Sequence, residues 1–456
     1  MPKITKDKKR EIILDYATDI QSNLTSGKQP DKTVIDFRKE MQNNQTRPVV
    51  EIPLEFLRFR KDNGRIASDV ISYEKEIGPL DETENDTQEI LRDFLYKKDP
   101  ETTEELIQSI RHKSQRDPAI ITSDGFLING NRRKVALERL LQETNDDKWR
   151  WMKVVILPGE DDEGGPPSLK EIEQIENRYQ LQSEGKSEYS LFDRALSIRR
   201  KIEVGINLEE QLRDDPKYAN LPQATFKKEV KKFQELYLDP VVVIDRYLDY
   251  LDRENMYSTI TTGPGDKEGR WQAFLDYADT RRKIEKPRNR KDLLLTESEL
   301  GDVEEIAFKI IRKRAFPSEI GKVHSVMRNL GKYFKYQDSK DEMQKILDIP
   351  YKLSDDEIFN DDGIEYSERD KDLLWGKKYG SEIIKYVKKA KQLSEISNEK
   401  ETPIKLLEEA LKKLNHTDMI PEFVKKDEIQ AAVKLITKIE TRSDELKKDF
   451  FDLSKK

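Results

Sequence analysis

The chain contains no cysteine among its 456 residues. This absence excludes disulfides, zinc–thiolate sites, iron–sulfur clusters and a cysteine nucleophile. Histidine is also scarce, because only His112, His324 and His416 occur and they lie far apart in sequence. A histidine-rich metal site is therefore not expected.

Long apolar runs are missing as well. No stretch of about 18 apolar residues occurs, which is the length that a helix needs to cross a bilayer. The N-terminus, "MPKITKDKKREIILDYATDI", lacks the apolar core of a secretory signal. We therefore expect a cytoplasmic protein with no membrane partner.

Charged residues make up 38% of the chain and hydrophobic residues 35%. The 84 basic and 91 acidic residues leave a net charge of −7, which argues against non-specific coating of nucleic acid. A local basic face would still be able to bind phosphate. The length allows roughly two to four domains.

The predicted fold class is α+β, with a small mixed sheet in the N-terminal part followed by all-helical domains. Two linkers, "GEDDEGGPPS" and "TTGPGDKEGR", combine charge with glycine and proline and indicate domain edges. The predicted divisions are a helical extension at 1–48, a mixed domain at 49–160, a helical domain at 168–260 and a C-terminal helical domain at 271–456.

Local patterns also predict individual elements. The extension has helices at about 8–21 and 33–42, and the mixed domain has strands at 49–54 and 149–158. Ser168 and Glu171 fit a capping box, and Asp239-Pro240 predicts the end of one helix and the start of the next.

The stretch "TSDGFLINGNRRKVALERLL", residues 122–141, is typical of a hairpin that leads into a helix. Asp124-Gly125 predicts a type I′ turn. Gly130 would let the backbone approach a ligand, and the helix that begins near Asn131 offers unpaired backbone N–H groups. Arg132 and Arg133 in its first turn are unfavourable beside the helix dipole unless an anion binds there. The pattern indicates a phosphate site, although an ordinary turn with two solvated arginines has the same spacing.

A second candidate site is "IEQIENRYQLQ", where Glu176 and Asn177 are adjacent on a predicted helix. Carboxylate and amide oxygens are hard ligands that suit Mg²⁺. The alternative is a solvated helix face, and spacing alone favours it.

The order of these segments, including Asn63 and Arg65 in the turn "RKDNGRI", resembles the ParB/sulfiredoxin superfamily, in particular ParB-like partition proteins, over residues 49–250. Gly130-Asn131-Arg132-Arg133 is similar to the phosphate motif of that family, and Glu176-Asn177 to its metal motif. The resemblance implies a nucleoside triphosphate, CTP, bound with Mg²⁺ by these residues and Arg65. It also implies a clamp-like switch on DNA with at most slow, regulatory hydrolysis.

The chain departs from the family pattern at several positions. Asn131 replaces the usual Glu, Val135 stands where a further Arg is common, and Arg178 follows Asn177 directly. Sulfiredoxin chemistry needs a cysteine and is excluded. Two alternatives stay open: a nucleotide-dependent enzyme, such as a small-molecule kinase or a nuclease, and a helical interaction scaffold with a degenerate pocket.

The segment "EEQLRDDPKYANLPQATFKKEVKKFQELYLDP" occupies the place where ParB-like proteins carry a helix-turn-helix. On its second helix a basic face would meet DNA phosphates, and two polar residues at the helix start would reach base edges. The predicted DNA-binding residues are Gln223, Thr225, Lys227, Lys228, Lys231 and Lys232. A solvated face of an amphipathic helix explains the same lysine spacing.

Near the C-terminus, apolar residues recur at close to heptad spacing, at Ile429, Val433, Ile436 and Ile439. This spacing suits a homodimer formed through C-terminal helices. A helical bundle within one chain accounts for it equally well.

Overall fold

A computed structural model describes residues 31–35, 37–38, 46–181, 190–260, 269–360, 362–417 and 419–455. The chain divides into two compact units, Met1–Lys391 and Gln392–Lys456. The predicted α+β fold class is confirmed, because a small mixed sheet lies in the N-terminal part and mostly helices follow. The four divisions inferred from the composition of the two linkers stay predictions.

The first described strands form a small separate sheet. Strand β1 (Lys32–Val34) pairs antiparallel with β2 (Thr46–Pro48). The helix predicted for residues 33–42 is therefore wrong at its start, where the β-branched Thr33 and Val34 take extended backbone. The other predicted helix of this extension, at residues 8–21, lies outside the described residues.

A four-stranded sheet forms the centre of the mixed region. Its strands are β3 (Val50–Pro53), β4 (Ala119–Ile121), β5 (Leu127–Asn129) and β6 (Trp151–Ile156). The order is β3-β6-β4-β5, in which β6 runs antiparallel to β3 and parallel to β4. Strands β3 and β6 confirm the predictions for residues 49–54 and 149–158 to within two residues at each end.

Four helices pack beside this sheet through their apolar stripes. They are α1 (Ala67–Glu76), α2 (Asn85–Lys98), α3 (Pro100–Lys113) and α4 (Asn131–Thr144). The buried apolar residues that the helices and strands share include Ile52, Leu91, Ile107, Ile121, Leu140, Met152 and Val154.

The hairpin between β4 and β5 forms, but its turn is not type I′. Gly125 has φ +88°, whereas Asp124 has no positive φ, and type I′ requires positive φ at both central residues. The Gly125 N–H donates to the Thr122 carbonyl at 2.9 Å, so the turn proper is Ser123-Asp124 and Gly125 follows in the left-handed region. The pairing register also shifts at Ile120/Ile121. A tight turn followed by a left-handed glycine suits a hairpin with a bulge.

Helices make up almost all of the rest of the first unit. After the mixed region come α5 (Leu169–Leu181), α6 (Leu191–Glu203), α7 (Leu208–Arg213), α8 (Pro216–Ala219), α9 (Gln223–Phe233) and α10 (Asp239–Tyr250). The predicted capping box before α5 is confirmed. The Ser168 N–H donates to Glu171 Oε2 at 2.8 Å, and the Glu171 N–H donates to Ser168 Oγ at 3.3 Å.

The chain does not break at Asp239-Pro240, where a helix end was predicted. A π-helical turn, Gln234–Leu238, connects α9 to α10 without interruption. Proline removes one N–H and its ring crowds the preceding turn. The wider π-helical turn takes up this crowding, so the helix continues through Pro240.

The remaining helices are α11 (Gly269–Ile284), α12 (Pro287–Asp292), α13 (Leu300–Lys313), α14 (Val323–Tyr333), α15 (Gln337–Gln344), α16 (Glu368–Leu414) and α17 (Ile429–Leu453). Their common core in the first unit includes Tyr247, Phe274, Phe308, Met327 and Trp375. Across the described ranges, no helix combines the length and the apolarity that a membrane span needs.

Candidate functional site

The start of helix α4 is held by Gly130, which is its N-cap at φ +87°. A Cβ at this position would lie 2.6 Å from the Cβ of Ala119 and 3.3 Å from Cε of Met152. Glycine is therefore required by the close packing of the helix start against β4 and β6. The glycine at this position is therefore explained without the predicted approach of the backbone to a ligand.

Asn131 follows as the first residue of α4 and is 8% exposed. Its Oδ1 is buried and accepts no hydrogen bond from the described chain. An unsatisfied buried acceptor is destabilising, and such groups normally have a partner in protein or in solvent. The start of α4 therefore presents a buried acceptor for which the described chain supplies no donor.

Arg132 is half-buried beside the first turn of α3, and its Nε donates to Thr103 Oγ1 at 3.4 Å. Burial lowers the pKa of Arg132, and the positive charge of Arg65 lowers it further. Arg65 lies in the short 3-10 turn Gly64–Ile66, where Asn63 Oδ1 accepts from the Arg65 N–H at 2.9 Å. The two guanidiniums, carried by separate elements, are thus close enough for their charges to interact.

The side chain of Arg133 has different partners from that of Arg132. Its Nη1 donates to the carbonyls of Asp117 and, at 3.1 Å, Pro118, just before strand β4. Burial lowers its pKa, and the charge of Asp117 partly offsets this. Arg133 therefore anchors the start of β4, and of the three predicted phosphate-binding arginines, Arg65, Arg132 and Arg133, it is the one held by backbone carbonyls.

Glu176 and Asn177 are both buried on α5, so the alternative of a solvated helix face is wrong. The Gly64 N–H donates to Glu176 Oε1 at 3.1 Å, and Arg60 Nη1 lies 4.0 Å from Glu176 Oε2. Lys201 donates to Asn177 Oδ1 at 3.2 Å. Both predicted metal ligands therefore have cationic or backbone partners within the chain.

These two residues belong to a larger ionic network. Arg200 pairs with Asp62 at 2.7 Å, and Arg60 Nη2 lies 3.6 Å from Glu173 Oε1. Burial and the neighbouring Glu176 carboxylate raise the pKa of Glu173. The sequence analysis did not predict this network. The feature that could have indicated it is the basic turn "RFRKDNGR", residues 58–65, which supplies Arg60 and Asp62.

The network does not fit Mg²⁺. Arg60, Arg200 and Lys201 already place three positive charges around the Glu176 carboxylate. A divalent cation would have to displace the Gly64 N–H from Glu176 and the lysine from Asn177. In the described part of the chain, no group of three or more acidic or histidine side chains is arranged to hold a metal.

The predicted DNA-binding residues all lie exposed on α9, while Phe226 is buried beneath them and lies 3.5 Å from the Arg213 guanidinium. Lys231 pairs with Glu235 at 3.9 Å, and Lys232 pairs with Glu229 at 2.5 Å. The exposed residues are Gln223, Thr225, Lys227, Lys228, Lys231 and Lys232. No ion pair within the described residues involves Lys227 or Lys228, so their charges face solvent.

No protein-family model matches the chain, and neither a curated protein nor a solved structure matches it. The ParB/sulfiredoxin resemblance therefore stays a prediction based on motifs.

Proposed function

We propose that the protein binds DNA and is regulated by a nucleoside triphosphate whose phosphates bind at the N-terminus of α4. The observation that carries this proposal is the buried, unsatisfied Asn131 Oδ1 at the start of α4, directly before Arg132 in the first turn. CTP is the nucleotide that the resemblance implies. Mg²⁺ would enter with the phosphates, because Glu176 and Asn177 are already partnered.

An anion offsets several unfavourable features of this place at once. Two guanidiniums repel each other, and Arg132 also lies at the positive end of a helix dipole. Phosphate oxygens accept bidentate hydrogen bonds from guanidinium and from backbone N–H groups at a helix start. The ribose hydroxyls of a nucleotide can donate to the Asn131 amide oxygen, which has no donor now.

The ionic network would connect this site to the helical region. Glu176 holds the turn that carries Arg65, and Arg200 of α6 holds the same loop through Asp62. Helix α6 in turn packs against α7 and the π-helical turn that follows α9. A ligand that moves Arg65 would therefore shift the elements that present the basic face, which is what a nucleotide switch requires.

The nucleotide site is tested by Arg132→Ala. We expect this change to weaken nucleotide binding by about 10- to 100-fold, since it removes a charge-assisted hydrogen bond to phosphate. Calorimetry with CTP, ATP and GTP, each with Mg²⁺, measures the affinity. Arg139→Ala is the matched control, because Arg139 lies on the same helix against the ring of Tyr96.

Arg133→Ala tests whether Arg132 and Arg133 have different roles. It should lower the melting temperature, because two backbone carbonyls lose their donor, and leave nucleotide affinity in place. Equal affinity of wild type and the Arg132 variant would refute the site. Product analysis with and without DNA then distinguishes a switch from an enzyme, and no binding by any nucleotide favours the scaffold.

The DNA face is tested by replacing Lys227 and Lys228 together with alanine. We expect weaker DNA binding and a slope of log affinity against log salt that is shallower by about 2, since two phosphate contacts disappear. Fluorescence anisotropy at several salt concentrations measures both. Lys412 and Lys413, an exposed adjacent pair on α16, are the matched control, and equal loss in both variants would contradict the assignment.

We also propose that the chain forms a homodimer through its C-terminal helices. In the second unit the near-heptad residues stay 41–54% exposed, so the unit itself does not cover this stripe; they are Ile429, Val433, Ile436 and Ile439. A two-fold partner would bury such a stripe and give the assembly two copies of the basic face. Light scattering of the samples used for anisotropy gives the number of chains.

A further inference from the structure

A cluster of arginines surrounds one buried carboxylate in the helical part of the first unit. Asp372 of α16 is fully buried, and its Oδ1 accepts from Arg253 Nη1 at 2.9 Å and Arg312 Nε at 2.8 Å. Its Oδ2 accepts from Arg270 Nη2 at 3.1 Å and lies 3.8 Å from Arg314 Nη2. These four arginines and Asp372 form what we call the arginine cluster.

The positive charge of the cluster exceeds its negative charge. Glu368 pairs with Arg253 and supplies a second carboxylate, so four guanidiniums face two carboxylates. Burial and the neighbouring Arg270 lower the pKa of Arg314 to about 10, which still leaves it charged at neutral pH. The cluster therefore has an excess of two positive charges. Three of its four arginines are only 3–4% exposed to solvent: Arg253, Arg270 and Arg312.

Several donors in the cluster have no acceptor. Arg270 Nε, Arg314 Nε and Arg314 Nη2 are buried and make no hydrogen bond within the described residues. The hydroxyl of Tyr247, which is 0% exposed and lies within electrostatic range of the same arginines, has none either. Buried donors are normally satisfied, so four unsatisfied atoms in one place indicate a missing acceptor.

Arg314 also has an unusual backbone. It ends α13 with φ +67° and ψ −65°, a conformation that L-residues rarely adopt. Strain of this kind persists only where surrounding contacts impose it, and it concentrates at ligand sites. The Arg314 side chain is 21% exposed, whereas Asp372 is 0% exposed, so Arg314 forms the solvent side of the cluster.

We propose that the arginine cluster binds a phosphate dianion that enters past Arg314. The dianion supplies the two missing negative charges, and its oxygens supply acceptors for the Arg270, Arg314 and Tyr247 donors. Water would satisfy the donors but would not balance the charge. The phosphate is either free inorganic phosphate or the phosphoryl group of a nucleotide, and this site is separate from the N-terminus of α4.

The test uses the full chain and inorganic phosphate. We expect saturable binding by calorimetry and a rise in melting temperature relative to chloride at equal ionic strength. Arg314→Gln should weaken phosphate affinity by about 10-fold or more. Arg328→Gln is the matched control, because Arg328 is 60% exposed and pairs with Asp276 at 2.8 Å. A variant with Arg132→Ala should keep the phosphate response, which separates this site from the proposed nucleotide site.

Tyr247→Phe gives an independent readout. Removing an unsatisfied hydroxyl should leave the phosphate-free protein at least as stable as wild type, while the phosphate-induced shift becomes smaller. The Arg132 variant also identifies the source of the phosphate. If it binds CTP or ATP more tightly than inorganic phosphate, the cluster is a nucleotide site. If it binds inorganic phosphate more tightly, the cluster is a site for free phosphate. No saturable binding, or binding unchanged by both the Arg314 and Tyr247 substitutions, overturns the proposal.

Discussion

Replacing Asp372 with asparagine is expected to lower the free energy of unfolding by about 3–5 kcal/mol, because it leaves buried guanidiniums without their shared counter-charge. Three arginines donate to this carboxylate, which is fully buried on α16. A loss of that size is a large fraction of the roughly 5–15 kcal/mol that stabilises a typical domain. Urea unfolding followed by circular dichroism measures the change.

Asp276→Asn is the control for this experiment. Asp276 pairs with Arg328 at 2.8 Å, but that arginine is 60% exposed, so the pair is screened and contributes about 0–1 kcal/mol. A similar small loss in both variants would show that Asp372 does not neutralise the cluster.

The Asp372 carboxylate also determines how the free energy of unfolding changes with pH. The neighbouring arginines outweigh burial and lower the pKa of Asp372 below its ordinary value. A carboxylate with a lowered folded pKa contributes stability above its unfolded pKa, about 3.9, and loses it as pH falls further. In the asparagine variant this part of the acid sensitivity should disappear.

Local signals in the sequence were enough for several parts of the fold. The Ser168–Glu171 capping box needs only neighbouring residues, and it forms. The lysine face opposite Phe226 follows from helical periodicity, and α9 presents it to solvent. The two strands of the hairpin also follow from local pattern, although its turn is not type I′ because Gly125, and not Asp124, takes a positive φ.

The parts that sequence reasoning missed depend on contacts between distant residues. Arg253 and Asp372 are 119 positions apart, and each resembles an ordinary surface charge until the fold brings them together. The direction of Arg133 is likewise set by two carbonyls before β4, a contact that helix periodicity does not contain. Glu176 and Asn177 form a plausible metal pair in sequence because the cations that meet them come from other elements.

Gly130→Ala is expected to lower the free energy of unfolding by about 2–5 kcal/mol through two additive effects. A residue with a Cβ at φ +87° is strained by about 1–2 kcal/mol. In addition, the new Cβ would lie 2.6 Å from the Ala119 Cβ, and such overpacking costs typically about 1–3 kcal/mol. Because relief of this overlap moves the start of α4, nucleotide affinity should fall together with stability.

Gly205→Ala separates the two effects, since Gly205 has nearly the same φ, +86°, and a Cβ there would meet nothing within 4 Å. It should lose only the conformational part, about 1–2 kcal/mol, and keep its nucleotide affinity. The difference between the two variants in urea unfolding therefore measures the packing of α4 against β4. Equal losses would mean that the sheet yields to the new methyl group, and the helix start would then not be rigid enough to orient Arg132 towards a phosphate.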